Sequence, residues 1–127
     1  MIYNLSRNTT NQGIENFLQN HEGISLFFIL SPEGKISNYF SKISIDDGEK
    51  NRITASFLAT IALADRTTNS LIQENTKNVV IKGDKSSVFI KFIEKNNVPN
   101  YLCLLIEKGI DIEEINQKIS NLFENLN

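Results

Sequence analysis

The stretch Ile53 to Ala64, ITASFLATIALA, holds nine apolar residues in twelve, no charge and no Gly or Pro. Its alanines and leucines favour a helix. At ~100° per residue, Ile53, Phe57 and Ala64 cluster near one direction, Leu58 and Ala62 point almost opposite, and Ala59 and Leu63 occupy a third side. A helix that is apolar all round must be buried all round. The chain has 127 residues, the size of one domain, since domains run to ~100–200. One sheet face covers only one stripe of such a helix, so the remaining side needs another surface. A second copy of the same helix is the economical answer, and Ala55, Ala59 and Ala62 would let two backbones approach closely. The alternative is that the helix is packed under the flanking helices and strand connections. If the helix meets its own copy, the nearby charges Glu49, Lys50, Arg52, Asp65 and Arg66 stand at the rim of that self-pairing surface, as handles for a further protein or simply as a solvated helix face.

The elements around this helix follow from periodicity and turn chemistry. A first helix is expected from Thr9 or Thr10, with Gln12 completing a capping box and Ile14, Phe17 and Leu18 on one side, ending by Gly23. Ile24 to Ser31 is apolar on both alternating faces, as in a central strand covered on both sides. Pro32-Glu33-Gly34 turns the chain into a mixed strand over Lys35 to Ser41. Asp46, with Glu49 three residues on, opens the long helix, which runs to about Ile72. Three strands follow, Asn78 to Lys82, Ser86 to Ile93 and Tyr101 to Glu107, with both prolines, Pro32 and Pro99, read as turn residues. Asp111 and Glu114 then cap a last helix with the stripe Ile112, Ile115, Ile119, Leu122, Phe123 and Leu126.

Burial pattern orders the strands. The first and last are apolar on both faces and belong in the centre, whereas the second and third carry Ser37, Asn38 and Lys82 and belong at the edges. Sequential antiparallel neighbours usually pair, which predicts a five-stranded antiparallel α+β sheet of order 2-1-5-4-3. The topology is α-β-β-α-β-β-β-α with helices on both faces. Residues 9–127 form one domain in this reading, with residues 1–8 a flexible arm.

Composition narrows the function classes. Thirteen Lys and Arg against fifteen Asp and Glu leave a net charge of −2, without the cationic excess that phosphate neutralisation by a general nucleic-acid binder requires. One Cys cannot form a disulfide within the chain, and no charged-then-apolar leader precedes residue 20. The expectation is therefore a cytoplasmic protein, with nothing near the ~20 consecutive apolar residues of a membrane span.

Chemistry-bearing residues are sparse. His21 is the only histidine, placed to meet the C-terminal end of the first helix. Cys103 lies in the most apolar strand, a setting for an inert thiol rather than a nucleophile. There is no Cys/His cluster for a metal, and Asp46-Asp47-Gly48-Glu49 lacks the alternating oxygens of a calcium loop. Neither glycine-rich phosphate-binding pattern occurs, and Gly34-Lys35 follows a hairpin turn instead of opening a helix. The pattern is that of a protein that binds rather than reacts: not an enzyme, and without a cofactor.

The element order resembles the roadblock/dynein light chain family of the profilin-like, longin-related fold, in its prokaryotic single-domain form. The segments that carry the likeness are FFILSPEGKI, ASFLATIALAD, NVVIKGDKSSVFIKF and YLCLLIE, within roughly residues 10 to 126. The resemblance implies assembly: homodimers, or heterodimers with a paralogous roadblock chain, in which the long helices lie together and the third strands meet edge to edge. It places Ile53, Phe57, Ala62 and Leu63, with Val79, Val80, Ile81 and Lys82, at the dimer interface, and periodicity adds Ala59. It also implies a small Ras-like GTPase as partner, scaffolded, recruited or activated by reshaping, so that Arg52 and Arg66 are not expected to act as arginine fingers. Two alternatives share parts of the pattern: a small-molecule sensor of the PAS or GAF kind, which would need a hollowed core, and a longin-type trafficking domain, which normally begins with the sheet.

Overall fold

A computed structural model of the protein describes residues 13–95 and 97–124. The expected arm over residues 1–8 and the expected cap at Thr9 or Thr10 lie outside them. Helix α1 is described over residues 13–20, followed by β1 (Ile24–Leu30), β2 (Ile36–Ser41), α2 (Asp47–Ile72), β3 (Asn78–Lys82), β4 (Ser86–Lys95), β5 (Val98–Glu107) and α3 (Ile112–Glu124). The strands form one antiparallel sheet in the order β2-β1-β5-β4-β3, as the burial pattern predicts.

Every residue of β1 is buried, so the sheet must be covered twice. On one face, Phe27, Ile29, Phe89, Leu102, Leu104 and Ile106 meet Ile14 and Leu18 of α1 and Ile115 and Ile119 of α3. On the other, Leu26, Phe28, Leu30, Ile90 and Cys103 meet Phe57 and Ile61 of α2. Within the first layer Lys91 reaches α3, its Nζ donating to Asn116 Oδ1 at 2.8 Å, and burial lowers its pKa from the ordinary lysine value.

Local signals act where the sequence places them. Asp46 is the N-cap of α2, its carboxylate accepting from Glu49 N–H at 2.8 Å, and Asp111 accepts from Glu114 N–H at 3.3 Å. The first hairpin closes through Gly34 N–H to Ser31 O and Ser31 N–H to Lys35 O, both 2.9 Å, with Gly34 at φ +90°, where a side chain would be strained. Within α2 the hydroxyls of Thr54, Thr60, Thr67 and Thr68 each donate to the carbonyl four residues back at 2.8 Å, so these polar groups are satisfied inside the helix.

Two features depart from the sequence reading. Pro99 is not a turn residue: it lies in β5 opposite Glu94, and the chain reverses between Lys95 and Val98. A proline is tolerated there because β1 pairs with β5 only from Tyr101 onward, so at Pro99 the strand runs as an edge. Strand β2 is also irregular. Asn38 and Tyr39 oppose Phe28 alone, with Asn38 at φ 53°, a β-bulge on the outer strand.

Gly23 joins α1 to β1, and a Cβ there would overlap the Ile110 side chain and force it to move. Gly23→Ala is expected to cost about 1–3 kcal/mol in chemical denaturation. Ile110→Ala in the same chain should recover part of that loss.

Candidate interaction surface

Helix α2 segregates its side chains by size. Phe57, only 9% exposed, packs edge-on against Phe28 with ring centroids 5.2 Å apart, and Ile61 is buried beside it. Ile53 and Leu58 are half-buried against the same layer. Ala55, Ala59 and Ala62 are exposed, with Leu63 64% exposed among them and Arg66 continuing the same side one turn on. Further along, Leu71 and Ile72 are exposed at the end of the helix. The helix is therefore not surrounded within its own protomer, and small apolar side chains line its outward side.

Among the described residues, strand β3 pairs with β4 alone and its other edge is unpaired. Val79 opposes Ile90 and packs half-buried into the α2 layer, whereas Ile81, opposite Val88 on the same face, is 48% exposed. Val80 points to the α3 side and is 45% exposed. There it borders an open groove of about 480 Å³ that Lys82, Ile110 and Ile112 also line.

Of the nine expected pairing positions, the structure exposes Ala59, Ala62, Leu63, Val80, Ile81 and Lys82 and leaves Ile53 and Val79 half-buried. Phe57 is a correction. Its ring fills the space over Phe28 in the protomer's own core, so it offers a partner little surface. The segregation of Phe57 and Ile61 from Ala55, Ala59 and Ala62 was the available signal.

Of the five charges expected to face a further protein, Glu49, Arg52 and Arg66 are exposed. The other two are engaged within the chain. Lys50 Nζ lies 4.1 Å from the centroid of the Tyr39 ring, and the Asp65 carboxylate accepts from Thr76 Oγ1 at 3.2 Å and Asn69 Nδ2 at 3.3 Å. Asp65 also raises the pKa of Tyr101, behind the larger effect of burial and ahead of Glu33.

The two reactive side chains are held locally. His21 Nδ1 accepts the Gly23 N–H at 3.1 Å, and its ring meets Phe17 edge-on. Lys42 also brings a positive charge to the end of α1, its Nζ donating to His21 O at 2.8 Å. Cys103 is fully buried in β5, and desolvation pushes its thiol far above the ordinary range. Among the described residues, no group of three or more His, Cys, Asp or Glu is placed to hold a metal ion, and no helix is long and apolar enough to cross a membrane.

Two outcomes are expected. A thiol reagent at pH 8 should leave Cys103 unmodified in the native protein and label it fully in denaturant, because burial both shuts the reagent out and suppresses the thiolate. Asp65→Asn should lower the pH at which Tyr101 ionises, followed by ultraviolet absorbance, since a carboxylate that disfavours the phenolate has been removed.

No family model matches the sequence, and no curated protein matches it. Solved structures do match the fold. MglB of Myxococcus xanthus superposes with a TM-score of 0.72 at 14% identity, covering 93% of this chain and 91% of that one. A Roadblock/LC7 domain from Streptomyces avermitilis gives 0.69 at 14% identity, covering 91% and 89%. An MglB structure with a tetrameric arrangement gives 0.67 at 9% identity, covering 96% and 93%. Strand order, helix placement and these superpositions agree that the chain has the fold of a single Roadblock/LC7 domain.

Proposed function

We propose that this protein is a non-catalytic adaptor or regulator that pairs with itself, or with a paralogous roadblock chain, through α2 and β3, and that the paired unit binds a small Ras-like GTPase. The observation that carries the pairing is the outward side of α2, where Ala55, Ala59, Ala62 and Leu63 are exposed in a protomer that also leaves the β3 edge unpaired. Burying a leucine side chain is worth roughly 1.5–3 kcal/mol, and a two-fold interface counts every such contribution twice. Small residues on the stripe allow close backbone approach, which long side chains would prevent.

The self-pairing reading also accords with the oligomeric MglB arrangement among the similar folds. The GTPase follows from the roadblock resemblance and from the exposed charges Glu49, Arg52 and Arg66, which flank the stripe and stay free for a third chain. A sensor reading finds less support, because the sheet face that would have to open is filled by Phe28, Leu30, Phe57, Ile90 and Cys103.

Light scattering at micromolar concentration should give twice the 14.4 kDa chain mass. Ala62→Arg should shift the protein towards the monomer while leaving far-ultraviolet circular dichroism unchanged. Titration with Ras-like GTPases loaded with GDP or a non-hydrolysable GTP analogue should show binding by the parent, weakened at least tenfold by reversing Arg52 and Arg66 together. A monodisperse monomeric parent overturns self-pairing, and no binding in either nucleotide state overturns the GTPase assignment.

A further inference from the structure

Thr76 is a polar residue only 8% exposed, in the connection between α2 and β3. Its Oγ1 lies 3.2 Å from Asp65 Oδ1 and 3.4 Å from Ala64 O. A hydroxyl has one proton to donate, and the charged carboxylate at the shorter distance is the stronger acceptor. The connection is thus tied back to the Ala64–Asp65 turn, seven residues or about two helical turns before Ile72, instead of leaving from the helix end. Helix α2 stops at Gln73, whose left-handed φ of 55° and ψ of 39° reverses the chain towards this tie. Just beyond Thr76, Lys77 O accepts from Phe92 N–H at 2.9 Å, and the β3–β4 pairing begins at Asn78.

Besides its ladder to β4 and the packing of Val79 under α2, β3 is held against the helix by one short connection, anchored at the helix by Asp65 and at the sheet by Lys77. Asn69 Nδ2 donates to Asp65 O at 2.8 Å and to its Oδ1 at 3.3 Å, holding the carboxylate from the next turn. Asp65 is a half-buried residue spent inside the protomer, which distinguishes it from exposed Arg66 beside it.

We propose that Asp65 and Thr76 are positioning residues for self-pairing: their hydrogen bond fixes the β3 edge against α2 so that the two elements present one surface to a second copy of this chain. The inference rests on the pairing surface proposed above. It separates the residues that would touch the partner, such as Ala62 and Leu63, from residues whose contacts lie within their own protomer and yet determine affinity.

The test compares Thr76→Val, which keeps the shape and removes the hydroxyl, with Asp65→Ala and Asp65→Asn in the full chain, and with Ala62→Arg as a substitution on the surface itself. Dimer dissociation is read by sedimentation over a dilution series, and amide hydrogen exchange is read segment by segment in the monomer. Thr76→Val and Asp65→Ala should each weaken pairing about tenfold or more and speed exchange over residues 73–82, with β1 and β5 unchanged. Asp65→Asn, whose Oδ1 still accepts from Thr76, should retain most of the parental affinity. If Ala62→Arg breaks the dimer while Thr76→Val pairs like the parent, the positioning role is wrong and the pairing surface stands. Exchange accelerated throughout the sheet by Thr76→Val would show a general structural role and overturn the proposal, as would equal losses in Asp65→Asn and Asp65→Ala. A parent that is monomeric overturns both readings.

Discussion

The burial of β1 along its whole length is the constraint from which the rest of the architecture follows. Ile24–Leu30 has apolar side chains on both faces, so it needs a strand on each edge and a layer on each side. Strands β2 and β5 supply the edges, α1 and α3 together supply one layer, and among the described residues α2 is the one helix of the other. Five strands at about 4.8 Å spacing span roughly 19 Å between the outermost axes, whereas a helix with its side chains is about 10 Å wide. A single helix therefore covers the middle of its face and leaves the outer strands partly bare. The exposure of Ile81 beside half-buried Val79 is the visible result.

That geometry explains why size is sorted around α2. Large side chains, Phe57 and Ile61, are required where the helix must fill the space above Phe28 and Ile90. On the outward side no such space exists within the protomer, and alanine at 55, 59 and 62 keeps the helix surface smooth. Solvent alone would be served better by charged residues, which makes the retained apolarity informative about contact with another chain.

Much of this was legible in the sequence because local signals and burial pattern agree. Asp46 caps as its spacing to Glu49 predicts, β3 spans the expected Asn78–Lys82, and the sheet order follows from which strands are apolar on both faces. Other features were not legible, for identifiable reasons. A helical wheel gives the relative directions of Phe57, Ala59 and Ala62 but not which of them meets the sheet, so it offers no check on the partner-facing place that the roadblock resemblance implies for Phe57. The Asp65–Thr76 tie links positions eleven residues apart through a reversal that no periodicity encodes. Pro99 reads as a turn residue wherever strand length is judged locally, because only the end of β1 pairing makes that part of β5 an edge.

The two outer strands of the sheet are not equivalent, and this limits how large an assembly the fold can build. Strand β3 is regular over its five residues and open along one side. Strand β2 is bent by the extra residue at Asn38, and Lys35 and Lys42 stand exposed at its two ends, features that deny a neighbouring strand a continuous template. Each subunit thus resembles a monomer unit with a single reactive end group. If two subunits pair through β3 as proposed, both such ends are consumed, growth by strand addition terminates at the first step, and fibres do not follow.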